Sequence, residues 1–405
     1  MTTPATEKTS GPSLRMVELD GLRALAILLV ISFHSWYFLQ FVLPTTEAFL
    51  KFSDSLPWVL GFIRRGDLGV DIFFVLSGYL LSWQLFQRRM KSGSISVKRF
   101  YAHRFFRIYP LYLIALLLAA FDSGITLRML GNLLAYNIWT DASNIIIPWT
   151  WSLSVELQFY AIVPLLILIV RNGTTLAILS AAFGLLTVGW SYWILSTHPQ
   201  LAEHSLIDLK MAGQNDDITL FYKHLYVAMP VRLSQFTFGM AGAWVVLNRA
   251  DHLSKIGGGT KAFLVLLILI GACLPLVHNP FTVLTESLQG IVYFELLFGR
   301  VAFAAAIAMM ISLLHSNTLP NLKRILSLRL LEPIARFSFS MYLFHPLFIY
   351  LGIVTFIGTA KTETISVFQY VGVCTVAILG SVLFGFITWY VIERPAIRFG
   401  RKKFG

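Results

Sequence analysis

The chain is short of charge, of cysteine and of breaks. Asp, Glu, Lys and Arg make up only 13% of its 405 residues, about half the share in a soluble domain. That scarcity argues against a water-soluble globule. The two cysteines, Cys273 and Cys374, sit far apart in apolar sequence, so neither a disulfide framework nor a metal set is expected. No zinc-ligand spacing, phosphate-binding glycine loop, dinucleotide fingerprint or calcium loop occurs. Internal repeats and low-complexity blocks are also missing. The first 18 residues are polar and carry no cleavage pattern, so the first apolar run is expected to remain as an anchor. Twelve residues follow Glu393, so no appended soluble domain is expected.

What fills the chain is apolar sequence. Hydrophobic residues reach 57% and mean hydropathy is +0.72. Runs of roughly 17–25 apolar residues mark transmembrane helices. Ten are expected, at 20–42, 68–87, 105–121, 151–170, 174–196, 231–248, 261–278, 291–314, 336–357 and 367–392. Such runs are too long for barrel strands, so the fold class is an all-α polytopic membrane protein. A tail at 1–18, a membrane domain at 19–393 and a basic tail at 394–405 complete the expected organisation.

Lys and Arg set the orientation. With the N-terminus in the cytoplasm, the inside segments hold 21 basic residues and the outside segments 7. Both termini are therefore expected inside, in a plasma membrane (the inner membrane of a bacterium). The net charge of +12 reads as this bias toward anionic lipid. No basic stretch interleaved with aromatics lies outside the spans, so no nucleic-acid partner is expected.

Ionisable side chains inside spans are costly and point to function. His34 lies within the run Ala24–Val42, roughly 20 Å from the cytoplasmic start of its helix at ~1.5 Å per residue. Glu156, five residues into the span that opens Trp151-Ser-Leu-Ser-Val-Glu156, falls at about the same depth, as does Asp71 in Gly69-Val-Asp-Ile-Phe. The three are expected to meet. Asp71 suits a helix-start or structural role, and Ser152, Ser154 and Ser338 suit either hydrogen bonds between helices or the site. His345 is followed by Pro346, expected to break its helix locally, and suits a structural or tunnel role. Arg300 is expected to pair with Glu295 or Glu156. Glu393 and Arg394 read as a helix end before Pro395.

Basic side chains gather at the other level. Arg23, Arg104 and Arg107 stand at the cytoplasmic ends of the first and third spans, and guanidinium forks suit phosphate. Arg88 and Arg89 read as ordinary residues reaching for headgroups. Arg23 and His34 share a helix and are eleven residues, or roughly 16 Å, apart. That is comparable to the reach of an extended pantetheine arm.

Together these stretches resemble the acyltransferase-3 family of integral-membrane acyltransferases. The matching segments are Glu18-Leu-Asp-Gly-Leu-Arg23 with His34, Gly66-Asp-Leu-Gly-Val-Asp-Ile-Phe-Phe-Val-Leu-Ser-Gly-Tyr-Leu80 and Phe100-Tyr-Ala-His-Arg-Phe-Phe-Arg-Ile-Tyr-Pro110. Trp151-Ser-Leu-Ser-Val-Glu156, Phe337-Ser-Phe-Ser-Met-Tyr-Leu-Phe-His-Pro346 and Ile392-Glu-Arg-Pro395 follow in order. The resemblance implies ten helices that move an acyl group, usually acetyl, from cytoplasmic acyl-coenzyme A to a hydroxyl of a glycan, lipid-linked sugar or metabolite. It implies Arg23, Arg104 and Arg107 as coenzyme-binding residues, with His103 standing where many relatives carry a further arginine. Acyl-coenzyme A is the expected donor, with no metal.

On this reading His34 removes the acceptor proton and Glu156 orients the imidazole, as the acid does in a triad. Ser152, Ser154 or Tyr342 would donate to the oxyanion, and a histidine-acyl intermediate is the competing route. Buried His, Glu and Arg also describe a proton-coupled transporter of a small polar solute. The sequence carries no legible acceptor code.

Overall fold

A computed structural model describes residues 16–120, 127–140, 144–276, 280, 284, 289–360 and 362–404. All but Met16–Glu18 of the N-terminal tail expected at 1–18 lies outside the described residues, as does Gly405. Eleven helices carry the architecture: α1 (Val17–Tyr37), α2 (Leu68–Ser92), α3 (Val97–Ala119), α4 (Trp151–Ile169), α5 (Gly173–Thr197), α6 (Met229–Ser254), α7 (Gly258–Cys273), α8 (Gln289–His315), α9 (Leu331–Phe356), α10 (Val367–Thr388) and α11 (Arg394–Phe404). No strand occurs among the described residues. Among the described residues nine segments are long and apolar enough to cross a membrane, α10 and α11 counting as one. The span expected at 231–248 is helical as α6, but it carries Arg232, Arg249 and Asp251 and is not among the nine. It packs against α2, α5 and α8, so much of its surface faces protein.

Small residues let α2 and α6 cross closely. A methyl added at Gly78 would overlap the Phe236 carbonyl, and one at Gly239 would overlap the Val75 carbonyl. In lipid, such close backbone packing replaces the hydrophobic drive between helices. One turn away, α2 presents Asp71, fully buried, to Arg232 of α6 at 2.9 Å and to Arg300 of α8 at 3.1 Å. Gln235 also donates to Asp71. The partner of Arg300 is therefore Asp71, and not Glu295 or Glu156 as expected. Asp71 ties three helices together, which satisfies a charge that would otherwise be costly.

Two further expectations change. Arg89 does not reach for headgroups: its Nη1 donates to the carbonyls of Ile167 and Val170 at 2.5 and 2.8 Å, closing the end of α4. Nor does the chain stop being helical at Glu393. A π-turn over Trp389–Glu393 lets the Arg394 N–H bond to the Trp389 carbonyl, and the helix runs on through Pro395, the second residue of α11. Helix α11 then packs along α3, with Phe106 against Phe399 and Phe404.

Candidate functional site

Helix periodicity builds the site as three stripes. On α1, eleven residues at ~100° each bring His34 back within about 20° of Arg23, three turns apart on one face, and α1 is unbroken between them. On α9, Ser338, Tyr342 and His345 fall at i, i+4 and i+7. On α4, Tyr160, Glu156 and Ser152 descend in steps of four toward Trp149 in the turn before the helix. Each stripe runs from a chamber rich in arginine to a pocket rich in aromatic rings.

The arginine chamber has an empty volume of about 1010 Å³ including its open mouth. Arg23, Arg104 and Arg107 line it together with Ser77, Glu156 and Tyr160. Glu156 accepts hydrogen bonds from Tyr160 Oη at 2.5 Å and from Ser77 Oγ. The Arg104 guanidinium lies 6.0 Å from the Tyr160 ring, and Arg23 pairs with Asp20 at 3.1 Å. Three guanidiniums against two carboxylates, Glu156 and Asp20, leave an excess of positive charge and many N–H donors. That set suits a polyanion such as a phosphorylated nucleotide.

The aromatic pocket, about 1260 Å³ in the same sense, is lined by His34, Phe33, Tyr37, Trp149, Trp151 and Tyr222 among others, with Lys223 at its edge. The two cavities share no lining residue. At the pocket floor His34 Nδ1 lies 3.0 Å from His345 Nε2, with ring centroids 4.8 Å apart. His345 is fully buried, and its Nδ1 lies 2.8 Å from the Tyr342 carbonyl.

Pro346 accounts for that last contact. It sits inside α9 without breaking it, contrary to expectation, but it cannot supply the N–H that would bond to the carbonyl four residues earlier. That carbonyl is Tyr342. Left open by the helix, it takes the His345 Nδ1 proton instead. Neutral His345 then offers a lone pair at Nε2, so the proton between the rings sits on His34 Nδ1. This assignment leaves His34 Nε2 as an unprotonated base, on a ring that lines the aromatic pocket.

The remaining candidates sort by contact. Glu156 makes no described hydrogen bond with His34; its partners are Ser77 and Tyr160, in the arginine chamber. The contact with His34 expected for Glu156 is made by His345. Pro148, Trp149 and Trp151 line the aromatic pocket, and Glu156, farther along α4, lines the arginine chamber. Ser154 donates to Asn137 Oδ1 at 2.7 Å, and Asn137 Nδ2 donates to Asn132 at 2.8 Å, so Ser154 holds the pocket wall. Ser152 and Tyr342 meet at 2.7 Å on the boundary between the cavities. Asp71 stays in its ion cluster. The sequence reading missed Ser77, Tyr160 and Asn137; Tyr160 was findable, being four residues from Glu156 on one helix face.

The sequence pattern of an acyltransferase domain matches residues 16–386. The peptidoglycan O-acetyltransferase OatA of Listeria monocytogenes is 31% identical over 196 residues, which is 42% of this chain and 28% of that protein. The nose resistant to fluoxetine protein 6 of Caenorhabditis elegans is 23% identical over 390 residues, 81% of this chain and 44% of that protein. The chain thus spans less than half the length of these curated relatives. No solved structure matches it.

Proposed function

Because the chain belongs to the acyltransferase-3 family, we propose that it is a plasma-membrane O-acyltransferase moving an acetyl group from acetyl-coenzyme A to a hydroxyl. The observation that carries this reading is the stacking of the two cavities along one face of α1. Arginines stand at one level and a histidine pair about 16 Å away, the span of an extended pantetheine arm. The positive-inside bias puts the arginine chamber at the cytoplasmic face, where acyl-coenzyme A is made. Arg23, Arg104 and Arg107 hold the coenzyme phosphates. The acceptor, a glycan, glycolipid or small metabolite carrying a hydroxyl, enters the aromatic pocket, where ring faces suit the C–H faces of a sugar.

In the reaction His34 Nε2 takes the acceptor O–H proton as that oxygen attacks the thioester carbonyl. The resulting imidazolium keeps its Nδ1–H on His345, whose second nitrogen is fixed on the Tyr342 carbonyl. When the tetrahedral intermediate collapses, the C–S bond breaks and the coenzyme thiolate takes the proton back from His34. The products are the ester and free coenzyme A, and His34 ends as it began. Glu156 balances charge among the arginines.

Incubating the purified protein with acetyl-coenzyme A, and comparing glycans and lipids of cells with and without the gene by mass spectrometry, tests the reading. It expects thiol release and an acceptor heavier by one acetyl group. Solute counterflow without thiol release would replace the enzyme with a transporter.

A further inference from the structure

The proposed chemistry leaves one feature unused: the cavities that must exchange an acetyl group share no lining residue, and side chains stand between them. The barrier is thin. Tyr342 lines the arginine chamber, its ring centroid is 6.1 Å from that of His345, and the His345 ring is 4.8 Å from His34. Phe74 on the chamber side meets Trp151 on the pocket side at 6.1 Å.

The polar contacts of this barrier are saturated. The Tyr342 hydroxyl donates to the Trp149 carbonyl, which can only accept. Its single proton is therefore committed, so the 2.7 Å contact with Ser152 has the Ser152 hydroxyl donating. Trp149 is strapped to α9 a second time through its Nε1, 3.0 Å from the Leu343 carbonyl. Two hydroxyls and one indole thus fasten α9 to the start of α4 and the turn preceding it, between the chambers.

We propose that Tyr342 is a latch. With its hydroxyl on Trp149 the ring seals the arginine chamber from the histidine pair, and its release opens the passage by which the thioester reaches His34. Ser152 and Tyr342 both line the chamber, so they lie where an arriving acyl group reaches the barrier. A thioester carbonyl offers Tyr342 an acceptor in place of the Trp149 carbonyl, an exchange of one hydrogen bond for another that costs little. Until then the barrier keeps pocket water, with a histidine base beside it, away from a bound thioester. The purpose of the latch rests on the transferase reading; its geometry does not.

Two readouts separate the ideas. In a chain with Cys273 and Cys374 replaced by alanine, Ser338→Cys places one thiol in the chamber. A membrane-impermeant thiol reagent, applied to intact cells and to inverted vesicles, is expected to label it from the arginine face only. Adding Tyr342→Phe, which keeps the ring and removes the hydroxyl, is expected to open labelling from both faces, and Ser152→Ala to do so more weakly. In native membranes given labelled acetyl-coenzyme A, the ratio of free acetate to bound acetyl is expected to rise roughly tenfold in Tyr342→Phe, the effect of one ordinary hydrogen bond on a two-state equilibrium. Retained labelling from the arginine face shows that each variant folds, and Ser152→Ala carries the test if Tyr342→Phe does not. Labelling from one face only, with an unchanged acetate ratio, would overturn the latch. The labelling needs no turnover, so an inactive parent protein would count against the transferase reading and leave the latch to be judged by labelling.

Discussion

Replacing His345 tests the step from geometry to chemistry most finely, because His345 is argued to act only through His34. Its Nε2 accepts the His34 Nδ1 proton at 3.0 Å, and the Tyr342 carbonyl fixes which nitrogen does so. His345→Ala removes the acceptor and frees the His34 ring to turn and to move its proton. The smallest loss is that of one neutral hydrogen bond, about three- to tenfold in rate. The largest is that of a base held in the wrong tautomer, about 10⁴ in a triad. A loss of roughly 10²–10³ in kcat is expected here, since the freed ring samples the right tautomer part of the time. His345→Gln, whose side-chain carbonyl can accept the same proton, should recover to within about tenfold of the parent. KM for acetyl-coenzyme A should stay within about twofold for both, since no arginine is touched. The assay is the initial rate of labelled acetyl incorporation in native membranes, where the acceptor is present. A loss under threefold for His345→Ala, or equal losses for the alanine and glutamine variants, would refute the orienting role.

Three other perturbations follow from the contacts. Glu156→Gln should raise KM for acetyl-coenzyme A several-fold while kcat stays within about threefold, because Glu156 sits among arginines; a collapse of kcat alone would return it to the side of His34. Asp71→Asn leaves the buried Arg232 and the partly buried Arg300 without their carboxylate and should cost about 3–5 kcal/mol of stability, seen as a lower unfolding midpoint in detergent; an unchanged midpoint would show the cluster to be dispensable. Pro346→Ala restores an N–H that competes with His345 for the Tyr342 carbonyl. It should lower kcat by about tenfold without lowering the unfolding midpoint, and full activity would mean that His345 needs no such anchor.

Much of this was legible in the chain. Span positions followed from apolar length, because lipid demands it, and Arg23 and His34 were locked on one helix whose rise and twist are fixed. The grouping of Arg23 with Arg104 and Arg107 needed only the topology. What the sequence hid were the pairings between helices. The partners of Arg300 and His34 depend on which faces meet, and apolar periodicity says little about facing when both lipid and core are apolar. Counting residues from a span start gives Glu156 a level but not the cavity it faces, which is the arginine chamber. Pro346 signals a helix break in the sequence, yet α9 runs through it and its effect is to free a single carbonyl.

The most direct measurement is acetyl transfer by His34→Ala in native membranes, read beside acetyl-coenzyme A binding by the purified variant. The account predicts incorporation reduced to background with binding retained near the parent affinity, since Arg23, Arg104 and Arg107 remain. Incorporation at the parent rate would contradict it.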